Sequence, residues 1–155
     1  MTSQEISKFM KKLSNMMVVS QIIWGVVIVM QFFIGIFTLI FGGYGIATLA
    51  VMGYNIYGCI RYSKTIKWVK SVDNPYDAQV VIKHFDSQLY ISIAFGILNL
   101  VLGGVVGVIG CLYEVFLSIY VKKHAPELTK TPKPEYYEEA YDVVPEYEEE
   151  HKKYF

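Results

Sequence analysis

Between Met16 and Ile60 the chain has no Asp, Glu, Lys, Arg or His, a gap of 45 residues. A second block, Leu89 to Val121, is 33 residues long and has one ionisable side chain among its charged types, Glu114. Two cysteines, Cys59 and Cys111, each sit inside an apolar segment. That excludes a disulfide framework or a metal-ligand spacing and fits cysteine used as a small hydrophobe. His84, His124 and His151 stand singly in polar stretches. There is no phosphate-binding glycine loop, dinucleotide fingerprint or zinc pattern, and no nucleophile beside a base. Catalytic, cofactor and metal residues are therefore not expected, the chain does not read as an enzyme, and no nucleic-acid partner is expected.

What is present is apolar length. As one helix the first block would reach roughly 67 Å at about 1.5 Å per residue. A hydrocarbon core of about 30 Å needs about 20 apolar residues. Two helices reversed at Gly42-Gly43-Tyr44-Gly45 fit, because glycine turns sharply at little steric cost. The second block would reach roughly 50 Å as one rod, and Gly103-Gly104 offers the same reversal. Spans are expected at about residues 17–41, 44–61, 85–102 and 105–121. The fold class is then an all-α membrane protein, with four transmembrane helices as two consecutive hairpins and a disordered or partly helical acidic tail. Gly35–Gly43 and Gly96–Gly104 match at five of nine positions, and Ile56-Tyr57 matches Ile119-Tyr120 after a two-residue slip. This suggests a parallel duplication of one hairpin.

The segments around these spans are polar. Thr2-Ser3-Gln4-Glu5 fits a capping box, followed by apolar residues at helical spacing, so residues 1–16 predict an amphipathic cytoplasmic helix in the headgroup region or a lead-in to the first span. Residues 17–61 form hairpin 1, 62–84 a basic cytoplasmic loop, 85–121 hairpin 2, and 122–155 an acidic tyrosine-rich tail. Arg61, Lys64, Lys67 and Lys70 recur every three residues, as on a helix leaving the membrane with snorkelling side chains. Asp73-Asn74-Pro75 stops that helix and starts another. Trp24 and Tyr44 are candidate interfacial aromatics. Lys8, Lys11, Lys12, Arg61 through Lys83, and Lys122-Lys123 all fall on one side of a four-span chain, while both glycine turns are uncharged. The positive-inside rule places that side, with both termini, in the cytoplasm. The cell or plasma membrane is the expected location.

Net charge is zero but segregated: residues 1–124 carry ten Lys/Arg against five Asp/Glu, and residues 125–155 carry four against nine. Too little of the tail is apolar to bury, so it is expected to be disordered. Its Tyr136, Tyr137, Tyr141 and Tyr147 are candidate docking residues, with Tyr141-Asp142-Val143-Val144 resembling a tyrosine-based sorting or phosphotyrosine signal. Inside the spans, Glu114, Asn99, Asn55 and Gln31 are the polar candidates. A charge at that depth is costly and marks either a site or a helix-bridging bond, with Asn99 or Tyr113 expected as the partner of Glu114. Gly42, Gly43, Gly103 and Gly104 are the turn and packing glycines. The leading expectation is an interaction, scaffold or accessory-subunit protein of the lipid bilayer whose tail docks a protein partner. The alternative is a small channel or transporter subunit, a homo-oligomer built around Glu114. A holin-like or immunity protein is a third reading.

Overall fold

The computed structural model describes residues 2–42, 45–103 and 105–129. Gly43, Tyr44, Gly104 and the tail with Tyr136, Tyr137, Tyr141 and Tyr147 lie outside the described residues. Among the described residues the chain is all helix: α1 (Ser3–Phe41), α2 (Gly45–Ser71), α3 (Pro75–Leu98) and α4 (Val105–Thr129). A π-helical turn, Asn99–Gly103, extends α3.

The helices start where their caps dictate. Thr2 accepts from the Glu5 amide while the Glu5 carboxylate accepts from the Thr2 amide at 2.8 Å. Those bonds hold the Glu5 carboxyl below its ordinary pKa. Asn74 Oδ1 caps α3 by accepting from the Asp77 amide at 2.9 Å, with Pro75 in the first turn. Ser3 Oγ donates to the Asp73 carbonyl at 2.7 Å, tying the start of α1 to the α2–α3 connection.

Length and composition make α1, α3 with its extension, and α4 long and apolar enough to cross a membrane. The apolar run of α2, Gly45–Ile60, is 16 residues and is diluted by Tyr54, Asn55 and Tyr57. At about 24 Å it is shorter than the usual span. The 39 residues of α1 extend to roughly 58 Å, about twice a hydrocarbon core.

Packing follows a seven-residue repeat. From Ile6 to Gln31 the buried positions on α1 include Ile6, Met10, Leu13, Met17, Ser20, Trp24, Val27 and Gln31, alternating steps of four and three, with Ser14 beside the seam and Gly35 beyond it. This is the spacing that keeps one seam of a helix against its neighbours in a coiled coil. The other helices supply matching layers. Met17, Val69, Phe85 and Val121 share one; Trp24, Tyr62, Ser92 and Glu114 the next; Gln31, Asn55, Asn99 and Gly107 the one after. Successive layers are about 10.5 Å apart. α1 packs on α2 and α4, and α3 on α4, whereas α2 and α3 stand apart over part of their length.

Along this seam the chemistry inverts. At the end holding both chain termini of the bundle, Ile6, Met10, Leu13, Val69, Val81, Phe85, Leu117 and Leu128 make an apolar core, and the lysines point outward. Toward the other end the seam turns polar and the outside turns apolar: Phe33, Ile40, Phe41, Ile46, Val101 and Val105 are exposed by 66–74%.

Residues 3–16 are the first turns of α1, docked on the other helices through Ile6, Met10 and Leu13, as a lead-in to the first apolar block. Residues 62–84 hold the two helix ends expected on either side of Asp73-Asn74-Pro75, and Ile66, Val69, Val81 and Phe85 dock them into the apolar core. The tail begins later than residue 122: α4 runs to Thr129 with Pro126 inside it, and buried Leu128 holds that last turn against the core. Trp24 is 8% exposed and faces the seam rather than an interface.

Candidate functional site

Two polar layers occupy the seam, and they differ in kind. In the upper one Gln31 Nε2 donates to Asn99 Oδ1 at 3.0 Å, and Asn55 Nδ2 donates to Gln31 Oε1 at 2.9 Å and to Asn99 Oδ1 at 3.2 Å. Asn99 Nδ2 donates to the Phe95 carbonyl at 3.0 Å. The three amides thus join α1, α2 and α3, and Gly107 of α4 lies against Asn99 where a side chain would collide with its amide. Such interhelical bonds contribute about 0.6 to 2 kcal/mol each in a membrane. Thr48 Oγ1 donates to the Leu102 carbonyl at 3.1 Å, satisfying an acceptor at the π-helical turn. This layer is closed on itself and works as a lock.

The lower layer is open. Glu114 accepts from Trp24 Nε1 through Oε1 at 2.8 Å and from Ser92 Oγ through Oε2 at 2.9 Å. The indole of Trp24 lies on Gly110, where an added Cβ would come within 2.7 Å of the ring. Any larger residue there would push Trp24 off the carboxylate. Gln88 stands beside Glu114, and Tyr62 Oη, next to Ser20, is buried without a well-formed hydrogen bond. Among the described residues no cation pairs with Glu114; the Lys122–Asp86 pair, 3.0 Å, lies on the surface.

Glu114 and Trp24 form the back wall of a cavity of about 560 Å³ between α2 and α3. Tyr57, Gly58 and Arg61 line it on α2, and Ser87, Gln88 and Ile91 on α3. Two contacts bridge the helices at its ends. Tyr54 stacks on Phe95 with centroids 4.8 Å apart, and Trp68 meets His84 edge-on at 5.9 Å. Burial, and secondarily the charge of Arg61, hold the His84 imidazole below its ordinary pKa, so it is neutral near pH 7. Gln21 on α1 reaches Ser63 and the Cys59 carbonyl beside the cavity.

Of the polar residues singled out from sequence, Gln31, Asn55 and Asn99 come together, and Glu114 lies a layer away with Trp24 and Ser92 in place of the expected Asn99 or Tyr113. Gly42 ends α1 with its amide on the Thr38 carbonyl at 2.9 Å, at φ −148°, outside the left-handed region. Sequence reasoning set Trp24 at an interface and passed over Tyr62, Ser92 and Gly110. The available signal was the interval of seven that relates Trp24 to Gln31, Asn55 to Tyr62, Ser92 to Asn99, and Gly107 to Glu114. Among the described residues no three His, Cys, Asp or Glu side chains converge as a metal site would require. No family model, curated protein or solved structure matches the chain.

Proposed function

We propose that the chain is a four-span integral membrane protein with both termini in the cytoplasm, working as an interaction or accessory protein whose acidic tail docks a cytoplasmic partner. The inversion along the seam carries the membrane part of this reading. A bundle in water keeps apolar residues inside and polar ones outside throughout; here that order holds only at the lysine-bearing end. At the other end, exposed apolar side chains surround buried amides, the arrangement suited to lipid, where hydrogen bonds rather than apolar contacts hold helices together. α2 joins the spans although it is short and dilute, because Thr48 and Asn55 face the seam. Lys8, Lys64, Lys70, Lys83 and Lys122 then share the cytoplasmic side. The duplicated hairpin remains part of this reading, supported by the pairing of α1 with α2 and α3 with α4.

The test uses single cysteines in a Cys59→Ser, Cys111→Ala background, labelled on intact cells with a membrane-impermeant maleimide. Gly42→Cys should label from outside; Ser71→Cys and Lys123→Cys should label only after permeabilisation. Labelling of Ser71→Cys on intact cells overturns the topology. Because α4 runs to Thr129, deleting 130–155 should leave the bundle folded while abolishing capture of the partner that co-purifies from native membranes. Unchanged capture removes the docking role.

A second reading, a channel or transporter subunit, draws on the unpaired Glu114. The amide layer fills the centre of one bundle, so flux needs a path between copies. Reconstituted vesicles should then show ion flux that Glu114→Gln removes; absence of flux retires this reading.

A further inference from the structure

We propose that the cavity between α2 and α3 is a binding site for amphiphiles with an ammonium head group, with Glu114 taking the cation and the chain lying out between Tyr57 and Ile91. The inference rests on the membrane placement proposed above. An ionised carboxylate has about four acceptor positions; Trp24, Ser92 and Gln88 engage three. The Glu114 side chain lines a cavity whose walls include Trp24, Tyr54, Tyr57, Tyr62 and Phe95. Aromatic faces around a carboxylate favour a cation that is only weakly hydrated, such as an alkylammonium. Nothing among the described residues supplies that charge: Arg61 and Lys83 are exposed at the rim, and neither is within ion-pair distance of Glu114.

The opening selects the rest of the ligand. It is flanked by exposed Tyr57 and Ile91, at the cytoplasmic end of the proposed spans, so a molecule enters from the leaflet rather than from water. A partner helix is a poor fit. It would need a slot about 10 Å wide along its whole length, whereas the Tyr54–Phe95 and Trp68–His84 contacts close the slot at both ends.

An alkylammonium can come from two sources, a free lipophilic cation or a zwitterionic lipid head group, and Arg61 separates them, because only the second offers a phosphate. In a Trp68→Phe background Trp24 is the sole tryptophan, since the chain has two. Its fluorescence in maltoside micelles is titrated with dodecyltrimethylammonium and with dodecylphosphocholine. Saturable quenching by at least one of them is expected, weakened at least tenfold by Glu114→Gln. Gly58→Phe should abolish it without lowering the thermal midpoint, since a Cβ at Gly58 meets open space and the ring beyond it plugs the opening. Tighter phosphocholine binding that Arg61→Gln weakens identifies a lipid head group; tighter trimethylammonium binding indifferent to Arg61→Gln identifies a free cation.

The proposal fails if neither probe saturates, if dodecyl sulfate quenches equally, or if folded Glu114→Gln binds as well as its parent. It also fails if Gly58→Phe breaks up a dimer of this chain without affecting either probe, which would assign the cavity to a second copy. None of these results depends on which side the termini face, so a failure here leaves the maleimide test of topology standing.

Discussion

Asn99 shows how much one side chain carries in this bundle. Its carbonyl receives both Gln31 and Asn55 and its amide holds the Phe95 carbonyl. Asn99→Ala leaves two buried amide donors short of an acceptor, at about 1–3 kcal/mol for each group left unsatisfied. The expected result is a loss of roughly 2–4 kcal/mol in unfolding by sodium dodecyl sulfate titration from mixed micelles; a loss below the resolution of that titration would mean that water or lipid replaces the lock. Glycines give a paired prediction of opposite sign. Gly107→Ala drives a methyl into Asn99, and overpacking of that kind costs about 1–3 kcal/mol. Gly58→Ala meets open space and should stabilise by up to about 1 kcal/mol through helix propensity. The same titration reads both, and equal effects would refute the packing assigned to Gly107. At this scale the sequence was partly legible. The cost of burying amides and a carboxyl group marked Gln31, Asn55, Asn99 and Glu114 as important. Which of them meet depends on α1 crossing both hairpins, and no local pattern states that: Trp24 and Glu114 are 90 positions apart.

The helices themselves were easier to read than their roles. Caps at Thr2 and Asn74 and the missing charges placed the element starts, yet absence of charge gives no direction around a helix, so the seam went unseen while its span was found. The helix ends on either side of Asp73-Asn74-Pro75 were legible, but the reach of α4 beyond its apolar block was missed for a related reason. Leu128 is a lone large apolar residue between Glu127 and Thr129, and only its register with the core seam makes it buried. That continuity has a mechanical consequence for α1. One alanine inserted between Met17 and Val18 turns everything on one side of it by about 100° relative to the other. Ile6, Met10, Leu13 and Met17 would leave the core at about 1.5–3 kcal/mol each, a sum comparable with the whole stability of a typical domain. The expected outcome is no monodisperse protein on size exclusion, whereas the same insertion between Thr2 and Ser3, ahead of the seam, is tolerated. A normal elution profile for the first insertion would show that the two ends of α1 are not coupled. The π-helical turn at Asn99–Gly103 is the exception that fits: it widens α3 after its last seam residue, where no register follows.

For the molecule as a whole, the decisive quantity is the height of its apolar surface. On α2 the uncharged run is Gly45–Ile60, 16 residues, and on α4 the apolar block, broken only by Glu114, reaches from Val105 to Val121, 17 residues, or about 24–26 Å of helix. On α1 the uncharged run is Leu13 to Phe41, 29 residues, or about 43 Å. A bilayer of about 30 Å therefore overshoots two helices and undershoots the third, and α1 cannot tilt independently, because Trp24 and Gln31 are bonded to α4 and α3. The strain of mismatch, fractions of a kcal/mol per Å, falls on α2 and α4 in thick membranes, where Arg61 and Lys122 would be drawn below the interface. Surplus apolar length on α1 costs less, since Phe37, Ile40 and Phe41 can rest among headgroups. Thermal midpoints in nanodiscs should accordingly be highest with short-chain lipids of 14 carbons and fall as chains lengthen to 18 and 22. Arg61→Leu, by lengthening the apolar run of α2, should flatten that trend. Stability that rises with chain length would place α2 outside the hydrocarbon core and leave α1, α3 and α4 as the spans.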